Sequence, residues 1–328
     1  PRFELTASPH IKGPDSTPRI MWSVVVSLVP VVGASIWWFG PSAALVIASA
    51  TAGALLTERV FGPGGTLRDG SAGALLGLTR PAGLPLWIAF VGGVLPIGLG
   101  KLVFGGLGQN VFNPALLGRA MLQAAFPTAM TTFPAATASW AQLRGDNFAL
   151  PFTSADATLV LTGATPLGEM KFEQIPTAAA DLFLGATAGS TGETAAIAIL
   201  IGGGYLALRK YLNWRIPASI LITAAVLSQI AHTVDPTRYP DALFTLFSGG
   251  LMLGAWYMAT DMVTSPVTNA GGWIFGAGIG AMVVLIRLWG GLPEGVMYSI
   301  LFMNALVPFI NRATQPRVFG TGREAVAP

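Results

Sequence analysis

The sequence contains no cysteine. Thiolate ligation of an iron–sulfur cluster, a disulfide and a thiol nucleophile are therefore closed to this chain, and any redox work must use a non-thiol cofactor. Charge is scarce as well: Asp, Glu, Lys and Arg make up 10% of the 328 residues, against roughly a quarter in soluble domains. The two histidines, His10 and His232, fall in a tail and at a helix end, whereas paired haem ligation needs histidines at matching depths. The period-2 alternation of a β-barrel is missing. So is any basic run or basic–aromatic patch, so the net charge of +3 reads as topology information and not as nucleic-acid binding.

Apolar residues are abundant, at 52%. Nearly charge-free windows of membrane-crossing length or close to it cover Ile20 to Phe39, Ser42 to Leu56, Leu84 to Gly100, Ala195 to Leu208, Pro217 to Ala231, Phe244 to Thr260, Gly272 to Ile286 and Val296 to Ile310. The 41 glycines lie largely inside these windows, where they let helices approach closely in lipid. Gly202-Gly203-Gly204 is read as such a packing feature, because it lacks the strand and later acid of a dinucleotide fold. The first apolar stretch is long enough to span, so a cleaved signal peptide is not expected. Trp37, Trp38, Trp140, Trp214, Trp273 and Trp289 fall near expected helix ends, as interfacial belts.

Basic residues gather in the first nineteen residues, at Arg59 and Arg68, at Arg209, Lys210 and Arg215, and after Arg312. The positive-inside rule places these on the cytoplasmic side. The polar stretch 126–194 carries Arg144 and Lys171 against Asp146, Asp156, Glu169, Glu173, Asp181 and Glu193, and is expected outside. The expected division is a cytoplasmic tail (1–19), a first membrane repeat (20–125), an extracytoplasmic loop (126–194), a second membrane repeat (195–311) and a cytoplasmic tail (312–328). Thr79-Arg80-Pro81 aligns with Thr264-Ser265-Pro266, and Gly105 to Phe112 with Gly290 to Met297, at one constant offset. A repeat of five spans is odd, so its copy enters the membrane in the opposite direction. The expected fold is an all-α polytopic membrane protein of about ten transmembrane helices in two inverted five-helix repeats.

Such repeats place their sites where short or broken segments meet. Here Gly70 to Leu78 ends at Pro81, and Gly249 to Thr260 ends at Asp261 and Pro266. Asp261, beside Thr264 and Ser265, is the first candidate for an ion pathway, because carboxylates at membrane depth are expensive. Interfacial exposure is its bland reading, and also that of Glu58, Asp69 and Glu294. Asn110 and Asn113 flank the helix start at Pro114, as caps or as ligand groups. Gly105 and Gly106 read, on the residues alone, as contact points between helices. In the loop expected outside, Thr162-Gly163-Ala164-Thr165-Pro166-Leu167 combines a turn-permitting glycine with a proline that forces Thr165 out of the helical region, which leaves its hydroxyl open to esterification; on the residues alone an ordinary hydroxyl-rich turn is the stronger reading.

Thr162 to Thr165 in a long outer loop, the segment Val103 to Ala120 and Pro85-Leu86-Trp87 together resemble one family. It comprises the D subunit of the Rnf ion-translocating ferredoxin:NAD oxidoreductase complex and the related B subunit of sodium-translocating NADH:quinone oxidoreductase. The resemblance runs from Ile20 to Ile310, and the Thr-Gly-Ala-Thr-Pro-Leu form is nearer the Rnf member. It implies FMN bound to Thr165 through a phosphoester, with Thr162, Gly163 and Ala164 recognised by the attaching enzyme. Leu159 stands where attachment sites often carry an acid. It also implies a second, non-covalent flavin (riboflavin) at Gly105 and Gly106. A urea-channel-like fold is the corresponding architecture. The implied partners are the other subunits of such a complex, including a flavin-bearing extracytoplasmic subunit and integral membrane subunits, within a bacterial inner membrane. Electron flow would be coupled to sodium or proton movement. A flavin-free channel or carrier for a small polar solute is the competing reading, and a purely structural anchor for partner subunits is a third.

Overall fold

The computed structural model describes residues 15–62, 70–106, 108–136, 143–151, 153 and 163–316. Prolines open many of the helices, since their missing N–H falls where a helix has no partner for it. The first apolar window forms α1 (Thr17–Ser27) and α2 (Val29–Phe39), parted at Leu28, with Pro30 in the first turn of α2. Pro41 opens α3 (Pro41–Phe61). Then come the short α4 (Gly70–Leu78), α5 (Leu86–Ile97) with a π-helical turn over Gly98–Leu102, and α6 (Pro114–Ala125). The segment 126–194 contributes α7 (Pro127–Thr131), α8 (Pro166–Gly168) running into a π turn over Glu169–Glu173, and α9 (Ala179–Leu184).

The second half follows as α10 (Ala196–Leu208), α11 (Arg215–Val234), α12 (Ala242–Phe247), α13 (Leu251–Leu253) with a π turn over Gly254–Met258, α14 (Asn269–Trp289) and α15 (Val296–Thr314). Five stretches are long and apolar enough to cross a membrane: Thr17–Phe39, α3, α11, α14 and α15. Two shorter apolar helices, Leu86–Leu102 and Ala196–Leu208, accompany them. No strand is formed among the described residues. The molecule is thus an all-helical, multi-pass membrane protein.

Packing follows membrane logic, with large apolar side chains outside and small ones between helices. Leu56, Val60, Ile222, Val226, Leu285 and Phe302 are exposed, as lipid-facing residues should be. α3 instead buries Ser42, Ala43, Ala50, Gly53 and Ala54. A Cβ on Gly53 would strike the Phe90 carbonyl, and one on Gly93 the Ala50 carbonyl, so α3 and α5 meet backbone to backbone. α14 uses the same device on α11: Cβ atoms at Gly276 and Gly280 would stand 2.7 Å from the Ile216 and Ile220 carbonyl oxygens. α3/α5 and α11/α14 are the two most extensive helix pairs of the molecule. Gly202 packs against the Ser27 carbonyl and the Tyr257 hydroxyl and Gly203 against the Trp256 ring, whereas nothing lies near Gly204.

The apolar window from Phe244 to Thr260 is interrupted where the segment Gly249 to Thr260 begins. Ser248 is extended and Gly249 takes φ +61°, a left-handed conformation that glycine adopts without cost. A Cβ on Gly249 would strike Glu294 Oε2, so the break makes room for a carboxylate.

Candidate functional site

The segment that carries Thr165 is tied down on both sides of that residue. Gly163 N–H donates to the Phe133 carbonyl at 2.9 Å. A Cβ on Gly163 would stand 2.9 Å from Ala188 Cβ, so this glycine serves close approach and not a left-handed turn. Ala164 is exposed. Thr165 has extended backbone (φ −76°, ψ 148°), as a residue before proline must. Its Oγ1 accepts the Gly168 N–H at 3.2 Å, capping the short α8. Thr162 lies outside the described residues.

Beyond the π turn, Lys171 Nζ donates to four carbonyls: Ile286 at 3.3 Å, Arg287 at 3.0 Å, Gly290 at 2.5 Å and Leu292 at 2.8 Å. An ammonium thus closes the C-terminal end of α14, where unpaired carbonyls and the helix dipole favour a cation. Partial burial lowers the Lys171 pKa from its ordinary value.

Thr165 lines a cleft with about 880 Å³ of empty volume. Its apolar wall includes Met130, Phe133, Leu182, Phe247, Met297 and Tyr298. Its polar wall holds Arg119 of α6, Glu193 and Glu294, with Ser190 and Thr194, the latter with a buried hydroxyl that has no hydrogen-bond partner. Arg119 is ion-paired with Glu193. Glu294 Oε1 pairs with Arg287 at 3.2 Å and Oε2 accepts the Gly250 N–H at 2.9 Å. Glu294 is partly buried and fills the break between α12 and α13.

The segment around Glu193 also closes the end of α4. Gly192 N–H donates to the Leu78 carbonyl at 2.7 Å, Thr191 N–H to the Arg80 carbonyl at 2.9 Å, and Thr191 Oγ1 to the Gly77 carbonyl at 3.1 Å. The carbonyls at this broken end, open to a ligand by the sequence argument, are therefore taken by protein.

A second cavity, with about 810 Å³ of empty volume, lies at the other end of α6 and brings Asn110, Asn113 and Asp261 together with Lys101 and Tyr257. Asn113 caps α6 through the Leu116 N–H at 3.2 Å, and its Nδ2 donates to the Met258 carbonyl at 3.1 Å. Asn110 Nδ2 donates to the Phe112 carbonyl at 3.2 Å. Asp261 is partly buried and accepts from Val263 N–H at 3.3 Å and Thr264 Oγ1 at 3.2 Å. Lys101 Nζ meets Glu58 Oε1 at 3.0 Å with both side chains buried, which overturns the interfacial reading of Glu58.

Gly105 and Gly106 are not helix contact points. They take φ +109° and +101° in the turn after α5, and no atom lies within 4 Å of a Cβ placed on Gly106. They do not line the second cavity but adjoin its Lys101 wall, where Gly106 N–H donates to the Lys101 carbonyl at 3.0 Å. Among the described residues, no group of histidine and acidic side chains could hold a metal ion. His232 Nδ1 lies 2.7 Å from the Tyr239 carbonyl oxygen, which occupies it in a turn.

Sequence reasoning named the threonine but passed over Arg119, Glu193 and Arg80. Arg119 stands inside the quoted Val103–Ala120 block, and Arg80 follows a charge-free segment. Those were the available signals.

The chain also has clear relatives. A family model described as the NQR2, RnfD, RnfE family matches residues 4–320. A protein of Stutzerimonas stutzeri, named as the D subunit of an ion-translocating oxidoreductase complex, is 42% identical over 93% of this chain and 92% of its own length. One from Clostridium ljungdahlii, named as the D subunit of a proton-translocating ferredoxin:NAD(+) oxidoreductase complex, is 40% identical over 98% and 97%. One from Acetobacterium woodii, named as the D subunit of a Na(+)-translocating ferredoxin:NAD(+) oxidoreductase complex, is 38% identical over 96% and 95%. Similarity of this depth, sustained from the first helix to the last, makes this polytopic membrane chain a member of the NQR2, RnfD, RnfE family.

Proposed function

We propose that this chain is the D subunit of an ion-translocating ferredoxin:NAD oxidoreductase complex, a membrane electron carrier with FMN joined to Thr165. The observation that carries the proposal is the placement of the Thr165 hydroxyl at a cleft with a largely apolar wall, one guanidinium and the unpartnered buried hydroxyl of Thr194. That lining fits a flavin: a flat ring needs apolar walls, and its phosphate and ring edge need donors. When bound, FMN supplies one- and two-electron transfer. The chain's own residues hold and shield it. Pro166 keeps Thr165 extended, Lys171 fastens the segment to α14, and Met130, Phe133 and Phe247 exclude water from the cleft. Electrons enter from a flavin-bearing extracytoplasmic partner and leave toward integral membrane subunits of the same complex.

α6 links the two cavities. Pro114 and Ala115 line the inner one, Arg119 and Gln123 the outer. Nine residues of helix at the usual rise separate Pro114 from Gln123 by ~14 Å, a short step between two carriers. The inner cavity, with Asn110, Asn113 and Lys101 below the Gly105–Gly106 turn, is where a second, non-covalent flavin would be held. Asp261 stays the ion-pathway candidate. The cation is sodium or a proton, since relatives are named for each.

The two halves form an inverted five-helix repeat in this reading. The equivalent glycine-mediated pairs α3/α5 and α11/α14 support it, as do the broken segments that precede Thr79-Arg80-Pro81 and Thr264-Ser265-Pro266. Both termini then face the cytoplasm, and the loop 126–194 lies outside the inner membrane.

The test is a denaturing gel viewed under ultraviolet light. The wild-type band should fluoresce and Thr165→Val should be dark. A dark wild-type band whose Thr165 peptide has unmodified mass removes the electron carrier and leaves the solute channel.

A further inference from the structure

Arg119 is the one cation among the described residues lining the outer cleft. Its side chain is 12% exposed and held by the Glu193 carboxylate. Pairing would leave this wall neutral, but a further positive charge stands behind it. Arg80 is fully buried and lies near Arg119. Its Nη1 donates to the Ala89 carbonyl at 2.7 Å, while Nε and Nη2 have no hydrogen-bond partner. Gly92 makes room for it, since a Cβ there would strike Arg80 Nη2. The neighbouring Glu294 is already matched by Arg287. Arg119 and Arg287 therefore offset Glu193 and Glu294, and Arg80 beside Arg119 leaves an excess of one positive charge in a poorly screened interior.

We propose that Arg119, backed by Arg80, is the electrostatic counterpart of the flavin in this cleft and raises its reduction potential. The inference rests on the covalent-flavin reading above. A flavin held here would gain negative charge on its ring on taking an electron from the upstream carrier of the complex. A nearby cation stabilises that charge, and the Glu193 carboxylate opposes it. The two members of the ion pair therefore act in opposite directions on the potential.

The experiment is a spectroelectrochemical titration of the full chain, co-expressed with the enzyme that attaches the flavin. Thr165→Val serves as the blank for any other chromophore, and in-gel fluorescence verifies attachment. Arg119→Gln should lower the midpoint by at least a tenfold change in the oxidised-to-reduced ratio, about 59 mV for one electron. Glu193→Gln should raise it, and Arg119→Lys should stay near wild type. A merely structural ion pair predicts fluorescent variants with unchanged potentials, or both shifted the same way, and either result overturns the proposal. If Arg119→Gln does not fold, Glu193→Gln decides alone: a rise supports the assignment and no rise refutes it. A wild-type chain without fluorescence would instead sink the flavin reading itself.

Discussion

Thr165 owes its availability to two neighbours, Pro166 and Lys171. The first could be read from sequence, because the steric effect of proline on the preceding residue is local. The second could not. Lys171 meets carbonyls more than a hundred positions later, Ile286 to Leu292, and no local pattern announces such a contact. The ion pair of Arg119 with Glu193 was hidden for the same reason, with 74 positions between the partners. Replacing Lys171 with Met should leave the α14 carbonyls without their charged donor. We expect a loss of about 1–3 kcal/mol, the usual scale for hydrogen bonds to a charged group. It is measured as a lower unfolding temperature in detergent and as faster proteolysis within the outer segment. Thr165 flavinylation should fall in parallel, because the segment is no longer fixed to α14.

At the scale of helices, the sequence was read most easily where one apolar window makes one helix. Windows at Pro217 to Ala231 and Gly272 to Ile286 grew by a few residues at each end into α11 and α14. Breaks were harder. The sequence marks Gly249 to Thr260 as a segment of its own, but the Glu294 carboxylate that occupies the break at Gly249 and Gly250 comes from a distant position that no local pattern announces. The Gly105–Gly106 pair was likewise ambiguous, since glycine serves turns and helix contacts equally well. Helix contacts that do rest on glycine should be intolerant of bulk. Gly280→Leu would drive a side chain into the Ile220 carbonyl, and Gly93→Leu into that of Ala50. Each should cost on the order of 1–3 kcal/mol or more through overpacking. Gly204→Leu, in open space, should be tolerated. Thermal unfolding of the three variants in one detergent separates these outcomes.

For the molecule as a whole, family membership and the all-helical membrane class were legible because composition and one long motif block carry them. The buried charge array was not, because it joins residues from α6, α14 and three connecting segments that meet only in the folded state. Orientation can be tested directly, since the chain has no cysteine of its own. A single cysteine at Glu173 should react with an impermeant maleimide added to intact cells freed of their outer membrane, while one at Arg312 should react only after lysis. Both positions are exposed. The reverse pattern would turn the molecule over and place Thr165 on the wrong face.

The central claim is that the Thr165 hydroxyl is esterified by FMN in the working complex. Mass spectrometry of peptides from the purified, active assembly tests it most directly. The account predicts a peptide containing Thr165 that carries the mass of FMN less one water, lost on phosphoester formation. A fully active assembly whose Thr165 peptide is unmodified would contradict it.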